Sequence, residues 1–187
     1  MDEDFTIINT KTRNEKIKIF FLDNKKKIIY VLLFLLIIIF GFYSYQIFKD
    51  KKKIQVSDSY NSAVIKYKNG ANFNILDEMK TIVETKDSTY SPLALYFLID
   101  NNLTDNRNEI NDLFDIVINK VSLEKEIKNL IIYKKALFNA DYINENELLE
   151  MINPLIKSES VWESHALYLL AEYFYAKGEK QKSKEFF

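Results

Sequence analysis

The chain contains no cysteine, which excludes disulfides and thiolate metal sites. Glycine occurs only 3 times and proline only 2 times in 187 residues. Sheets joined by tight turns ordinarily use more of both, so the scarcity points to helices. With Gly41, Gly70 and Gly178 far apart in the chain, no glycine-rich phosphate loop can form. A single histidine, His165, cannot build a histidine metal cluster. What is present is largely apolar. Hydrophobic residues make up 48% of the chain and aromatics 14%, enough to bury a core.

Charge is unevenly spread. Residues 1–53 carry 11 Lys+Arg against 6 Asp+Glu, a net of +5. The remaining 15 and 21 leave residues 54–187 at −6. A basic head and an acidic body argue against nucleic-acid binding by the body.

Residues 28–48 read IIYVLLFLLIIIFGFYSYQIF, from Ile28 through Gly41 to Phe48, with no charge in 21 positions. As a helix the run spans roughly 31 Å, close to the hydrocarbon thickness of a bilayer. A helix also satisfies its own backbone in lipid. Tyr30 lies near one end, and Tyr43, Tyr45 and Phe48 near the other, where aromatic rings favour the interface. Lys25, Lys26 and Lys27 precede the run; Lys49, Lys51, Lys52 and Lys53 follow it. These lysines read as headgroup contacts that fix the helix in the bilayer. No small-x-small cleavage site follows, so the expectation is a retained transmembrane anchor. Counting basic residues within 15 of the span gives six on the N-side and four on the C-side. That bias favours a cytoplasmic N-terminus, with the body outside the cytoplasm.

Beyond the anchor, apolar residues recur at helical spacing. A helix is expected from Lys49 to Lys68, ending near Gly70. Ile75, Leu76, Met79, Ile82 and Val83 share one face. Ser91 is expected to cap the next helix, with Pro92 in its first turn. Further stripes run through Ile110, Leu113, Phe114, Val117, Ile118 and Val121, then Leu123, Ile127, Leu130, Ile131 and Leu137. Two more follow, through Leu148, Leu149, Ile152, Leu155 and Ile156, and through Trp162, Ala166, Leu169, Leu170 and Tyr173. No stretch alternates long enough for a convincing strand. The predicted fold is all-α: a short basic tail (1–27), one transmembrane helix (28–48) and antiparallel helical hairpins (49–187).

The last segment separates a bundle from a TPR-like α-solenoid. A tetratricopeptide repeat pairs large residues on a first helix with small and aromatic ones on a second. Leu167, Leu170, Ala171 and Phe174 fall on that spacing. Gly178 takes the turn, Ser183 the small position and Phe187 the aromatic one. Ala171 and Ser183 would let two backbones approach closely. The stretch SPLALYFLIDNNLTDNRNEINDLFDIVI has the same two-helix rhythm without a glycine turn.

This order of features resembles the YfgM-like family of bacterial inner-membrane proteins, the ancillary translocon subunit group. The resemblance rests on KIKIFFLDNKKK before the span, FGFYSY at its exit, the YSPLALYFL helix and ALYLLAEYFYAKGEKQKSKEF. The low Ala and Gly content departs from the family's habit. The resemblance implies a single span, an N-terminus in the cytoplasm and a periplasmic body. It also implies association with the protein-translocation channel and with periplasmic chaperones, and it carries over no catalytic residue. In relatives, helices continue beyond the equivalent of AKGEKQKSKEFF. The expectation is therefore a truncated chain, or a partner that supplies the missing surface.

Candidate chemistry is sparse. His165 reads as a surface or core histidine. Glu159, Glu163 and Glu172 could in principle form a general acid–base pair, but on a helix face they read as solvated surface. Asp105, Glu109, Asp112 and Asp115 form an acidic ridge without the glycine turn that calcium loops need. Tyr173 and Tyr175, flanking Phe174, could line a partner groove. No cofactor and no enzymatic activity are expected. The expected function is a membrane-anchored protein-interaction scaffold. The alternatives are a self-associating structural envelope protein, an enzyme with an unfamiliar carboxylate site, and an inverted topology with the body in the cytoplasm.

Overall fold

The computed structural model describes residue 13, residues 15–70 and residues 74–186. Residues 1–12 and 14 of the basic tail, residues 71–73 after Gly70, and Phe187 of the repeat lie outside them. The described residues are all-helical, without a β-strand. A helical stretch over 15–23 and a turn at Asn24 precede α1 (Lys25–Lys68). Then come α2 (Ile75–Glu84), α3 (Tyr90–Asp100), α4 (Arg107–Lys120), α5 (Lys125–Asn139), α6 (Glu145–Ile156), α7 (Glu163–Ala176) and α8 (Lys180–Glu185).

The chain divides into two units, Met1–Lys52 and Lys53–Phe187. In the first, α1 carries the one helix among the described residues that is long and apolar enough to cross a membrane. From Ile29 to Phe48 its large apolar side chains are exposed. That is the arrangement expected of a helix solvated by lipid tails.

In the second unit, consecutive helices from α2 to α8 pack on one another, and α2 also packs on α4, as α5 does on α7. The local sequence explains where these helices begin. Asn106 caps α4 by accepting from the Glu109 amide at 3.2 Å. Asn144 and Glu147 form a reciprocal capping box at the start of α6. At α3 the expectation is corrected. Ser91 lies within the first turn rather than at the cap, and its buried hydroxyl donates to the Ile82 carbonyl at 3.2 Å. The Asp87 carboxylate accepts from the amides of Thr89 and Tyr90 instead. A carboxylate at that position also suits the positive end of the helix dipole. Pro92 does sit in the first turn, as expected.

With glycine so rare, other residues take left-handed turns. Asn74, Lys86, Asn102 and Glu159 all have positive φ. Asn102 follows α3, where the two-helix rhythm lacks its glycine; asparagine tolerates this region better than most residues.

Two apolar cores result. The first gathers Val56 and Ala63 from the end of α1 with α2, α3, α4 and Ile131 of α5. The second gathers Ala136 and Ala140 with α6 and α7. The expected stripes on α2 and α4 are the buried faces. The α5 stripe is corrected: Ile127 and Leu137 are exposed, and α5 buries Asn129, Ile131, Ala136 and Asn139. The reason is that α5 serves both cores from different sides. Its buried asparagines are also hydrogen-bonded. Asn129 donates to Ser160 Oγ at 3.0 Å, and Asn139 pairs reciprocally with Asn111 at 2.7 and 3.0 Å.

Candidate interaction surface

Helices α5 and α7 make contact in the same order along both helices. At the N-terminal end, the Glu126 carboxylate accepts from Ser160 Oγ at 2.7 Å and from the Val161 amide at 3.2 Å. Its backbone carbonyl accepts from the Trp162 indole at 3.1 Å. The Ser160 hydroxyl, with the Val161 amide, holds the Glu126 carboxyl below the usual carboxylate range. Two turns on along α5, Tyr133 stacks on Trp162 at 6.0 Å and meets His165 edge-on at 5.8 Å. His165 is exposed and lies 5.2 Å from the Trp162 ring, so it belongs to an aromatic cluster.

Toward their C-terminal ends, α5 and α7 separate into an open cleft of about 420 Å³. Leu137, Ala140 and Asp141 line one wall; Leu169, Glu172, Tyr173, Ala176 and Lys177 line the other. Tyr173 is only 9% exposed, and its hydroxyl donates to the Ile143 carbonyl at 3.1 Å. It is thus a packed wall residue with a satisfied polar end. Tyr175 and Leu137 are 63% and 51% exposed. Tyr168, on the same outward side of α7, hydrogen-bonds Glu172, which raises its hydroxyl pKa. Of the two predicted groove tyrosines, Tyr173 lines the cleft and Tyr175 stands on the open surface. The α5 contribution was not predicted. The spacing places Leu137 in a core stripe, and only its exposure separates it from that role.

The repeat-like positions fall together at the end of α7. Leu170, Ala171 and Phe174 are buried, and Leu167 is half-buried. Gly178 has φ +82° in the turn, a conformation that glycine adopts without strain. Ser183 of α8 is buried and donates to the Ala171 carbonyl at 2.8 Å. Phe186 stacks on Phe174 at 5.5 Å.

The flanking lysines Lys25, Lys26, Lys27, Lys49, Lys51, Lys52 and Lys53 are all exposed. Gly41 has nothing near its missing Cβ, so it marks open helix surface and no close packing. The acidic ridge on α4 is partly neutralised. Glu109 pairs with Lys80 at 2.6 Å, and Asp115 with Lys135 at 2.8 Å. Among the described residues no cluster of His, Cys, Asp or Glu could hold a metal ion. In comparisons with known proteins, the chain matches no family model, no curated protein and no solved structure.

Proposed function

We propose that this chain is a membrane-anchored protein-interaction scaffold of the bacterial inner membrane. Its body faces the periplasm and assists protein translocation or envelope chaperone contacts. The observation that carries this reading is the α5–α7 cleft. Leu137 and Tyr173 line it, and Tyr168 and Tyr175 are exposed on the neighbouring face of α7, in a chain that also holds a candidate span. Exposed aromatic and aliphatic side chains over a rigid helical floor are what protein docking uses.

The body reads as a TPR-like α-solenoid. Supporting this are the packing of α5 on α7, the Gly178 turn and the tight approach of Ser183 to Ala171. In that register His165, Tyr168, Glu172 and Tyr175 share one outward face of α7, and all four are exposed. The partners proposed are the translocation channel and periplasmic chaperones, on the sequence resemblance.

A photocrosslinking amino acid placed at Tyr175 or Leu137 in cells tests the reading, with Glu150 of α6 as the control position. Envelope proteins should crosslink from the first two sites. Labelling from these two sites that is absent or equal to the control would sink the scaffold assignment. Topology is tested separately with one cysteine introduced at Asp112. The native chain has none, so an impermeant thiol reagent on spheroplasts reports that site alone.

A further inference from the structure

We propose that residues 15–27 form an interfacial segment that binds the headgroup layer of an anionic membrane, distinct from the span and resting on the anchoring reading above. Residues 15–23 are helical, and a turn at Asn24 separates them from α1. Ile17, Ile19, Phe20, Phe21 and Leu22 are between 47% and 62% exposed. Ile17, Phe20 and Phe21 sit at i, i+3 and i+4, so they share one face. Lys16 and Lys18 fall on either side of that face, at 100° per residue.

The uncharged run from residue 28 to residue 48 already fills a hydrocarbon layer about 30 Å thick. Ile17 to Leu22 therefore lie outside it, and five exposed apolar side chains in water are unfavourable. Two features select a lipid surface as the cover. The patch ends at Leu22, five residues before the span begins at Ile28, so the anchor holds it beside the bilayer. Its charge is also complementary, since Lys16, Lys18, Lys25, Lys26 and Lys27 outnumber Glu15 and Asp23 in residues 15–27, a net of +3. Lysine stems extend along apolar surface while their ammonium groups reach phosphates, and each such contact adds attraction to an anionic leaflet. Apolar side chains at headgroup depth between lysines are the pattern of helices lying at a membrane surface.

The test uses the full chain with Leu22→Cys as its only cysteine, labelled with an environment-sensitive fluorophore. Asp112→Cys, on an exposed body residue, is the comparison. Both are reconstituted in phosphatidylcholine vesicles with and without phosphatidylglycerol. In the anionic vesicles, outward-facing label at position 22 should bleach in dithionite at least ~10-fold more slowly than label at position 112, an effect within reach of a few lysine contacts. Protection should fall in pure phosphatidylcholine. It should fall likewise after Lys→Gln at positions 16, 18, 25, 26 and 27, and after the double change Phe20→Ser, Phe21→Ser. Equal bleaching of the two labels, or protection unaffected by both variants, overturns the proposal. Carbonate extraction separates the two readings. Retention of the chain with an unprotected label overturns the interfacial segment alone, whereas release of the chain overturns the anchor as well.

Discussion

The Ser183 hydroxyl donates to the Ala171 carbonyl across 2.8 Å, with both residues buried where α8 crosses α7. A larger residue at either position would hold the two backbones apart. Ser183→Ala removes one buried hydrogen bond and leaves a small residue, so the expected loss is about 1 kcal/mol. Ser183→Leu adds volume with nowhere to go and should destabilise by about 1–3 kcal/mol. Urea unfolding of the detergent-solubilised full chain, followed by circular dichroism, ranks the two. Equal effects would mean that the close approach is not a constraint.

Tyr96 offers the opposite sign. Its buried hydroxyl has no hydrogen-bond partner among the described residues, and Lys134 lies over its ring at 4.4 Å. Burial, with the nearby Asp100 charge, pushes the Tyr96 hydroxyl up to about 12. Tyr96→Phe removes the unpaired hydroxyl and keeps the ring. The expected outcome is a gain of about 1 kcal/mol in the same unfolding measurement. A loss of stability would show that the hydroxyl contributes an interaction of its own.

Acid sensitivity should centre on the Lys80–Glu109 pair, which joins α2 to α4 at 2.6 Å. The Lys80 ammonium, aided by Thr104, holds the Glu109 carboxyl below its ordinary value. A depressed carboxylate stabilises the fold above its unfolded pKa of about 4.3, and that stability is lost as pH falls through the lower folded value. Glu109→Gln should lose about 0.5–1 kcal/mol at pH 7, because both side chains are partly exposed. The variant and the parent should converge in stability once the pH lies below the folded value. A difference that persists there would point to packing instead of charge.

The left-handed residues give a backbone prediction. Glu159 has φ +51° just before Ser160, in the turn leading to α7. A non-glycine residue in this region is strained by about 1 kcal/mol or more. Glu159→Gly should therefore be neutral or stabilising by up to about 0.5 kcal/mol, after the added freedom of the unfolded chain is subtracted. Gly178→Ala should do the reverse and destabilise by about 1 kcal/mol, with no steric clash involved, since nothing lies within 4 Å of a Cβ there.

The aromatic contact between the end of α1 and α3 carries a further prediction. Tyr60 lies 5.7 Å from Tyr90 and 6.5 Å from Phe97, and Tyr67 lies 5.2 Å from Phe97. The Tyr90 hydroxyl donates to Ser57 Oγ at 2.7 Å. Phe97→Ala removes the ring shared by both tyrosines and should destabilise by about 3 kcal/mol. Hydrogen exchange should then rise first across residues 53–68. Exchange that rises uniformly over the body would argue against a locally held helix end.

Much of the fold was legible because periodicity reports burial when a helix packs on one side. The stripes on α2 and α4 are such cases, and their buried residues are those the spacing selected. The same rule fails on α5, which is shared between two cores. There Asn129 and Asn139 are buried with partners while Ile127 and Leu137 face outward. Spacing also could not separate Ser91 as a cap from Ser91 as a buried donor, because that depends on the Ile82 carbonyl nine residues away.

By itself, the sequence determined an all-helical chain, a bilayer-length uncharged run near its start, and a tight helical turn at Gly178. Each follows from composition or from contacts between near neighbours in the chain. Only the tertiary structure decided that α5 lies beside α7, that Tyr173 faces inward while Tyr175 stays exposed, and that Leu137 closes the opposite wall of a cleft. Those outcomes depend on which distant segments share a surface, and a hydrophobic pattern shows how much of a helix is apolar without showing what covers it.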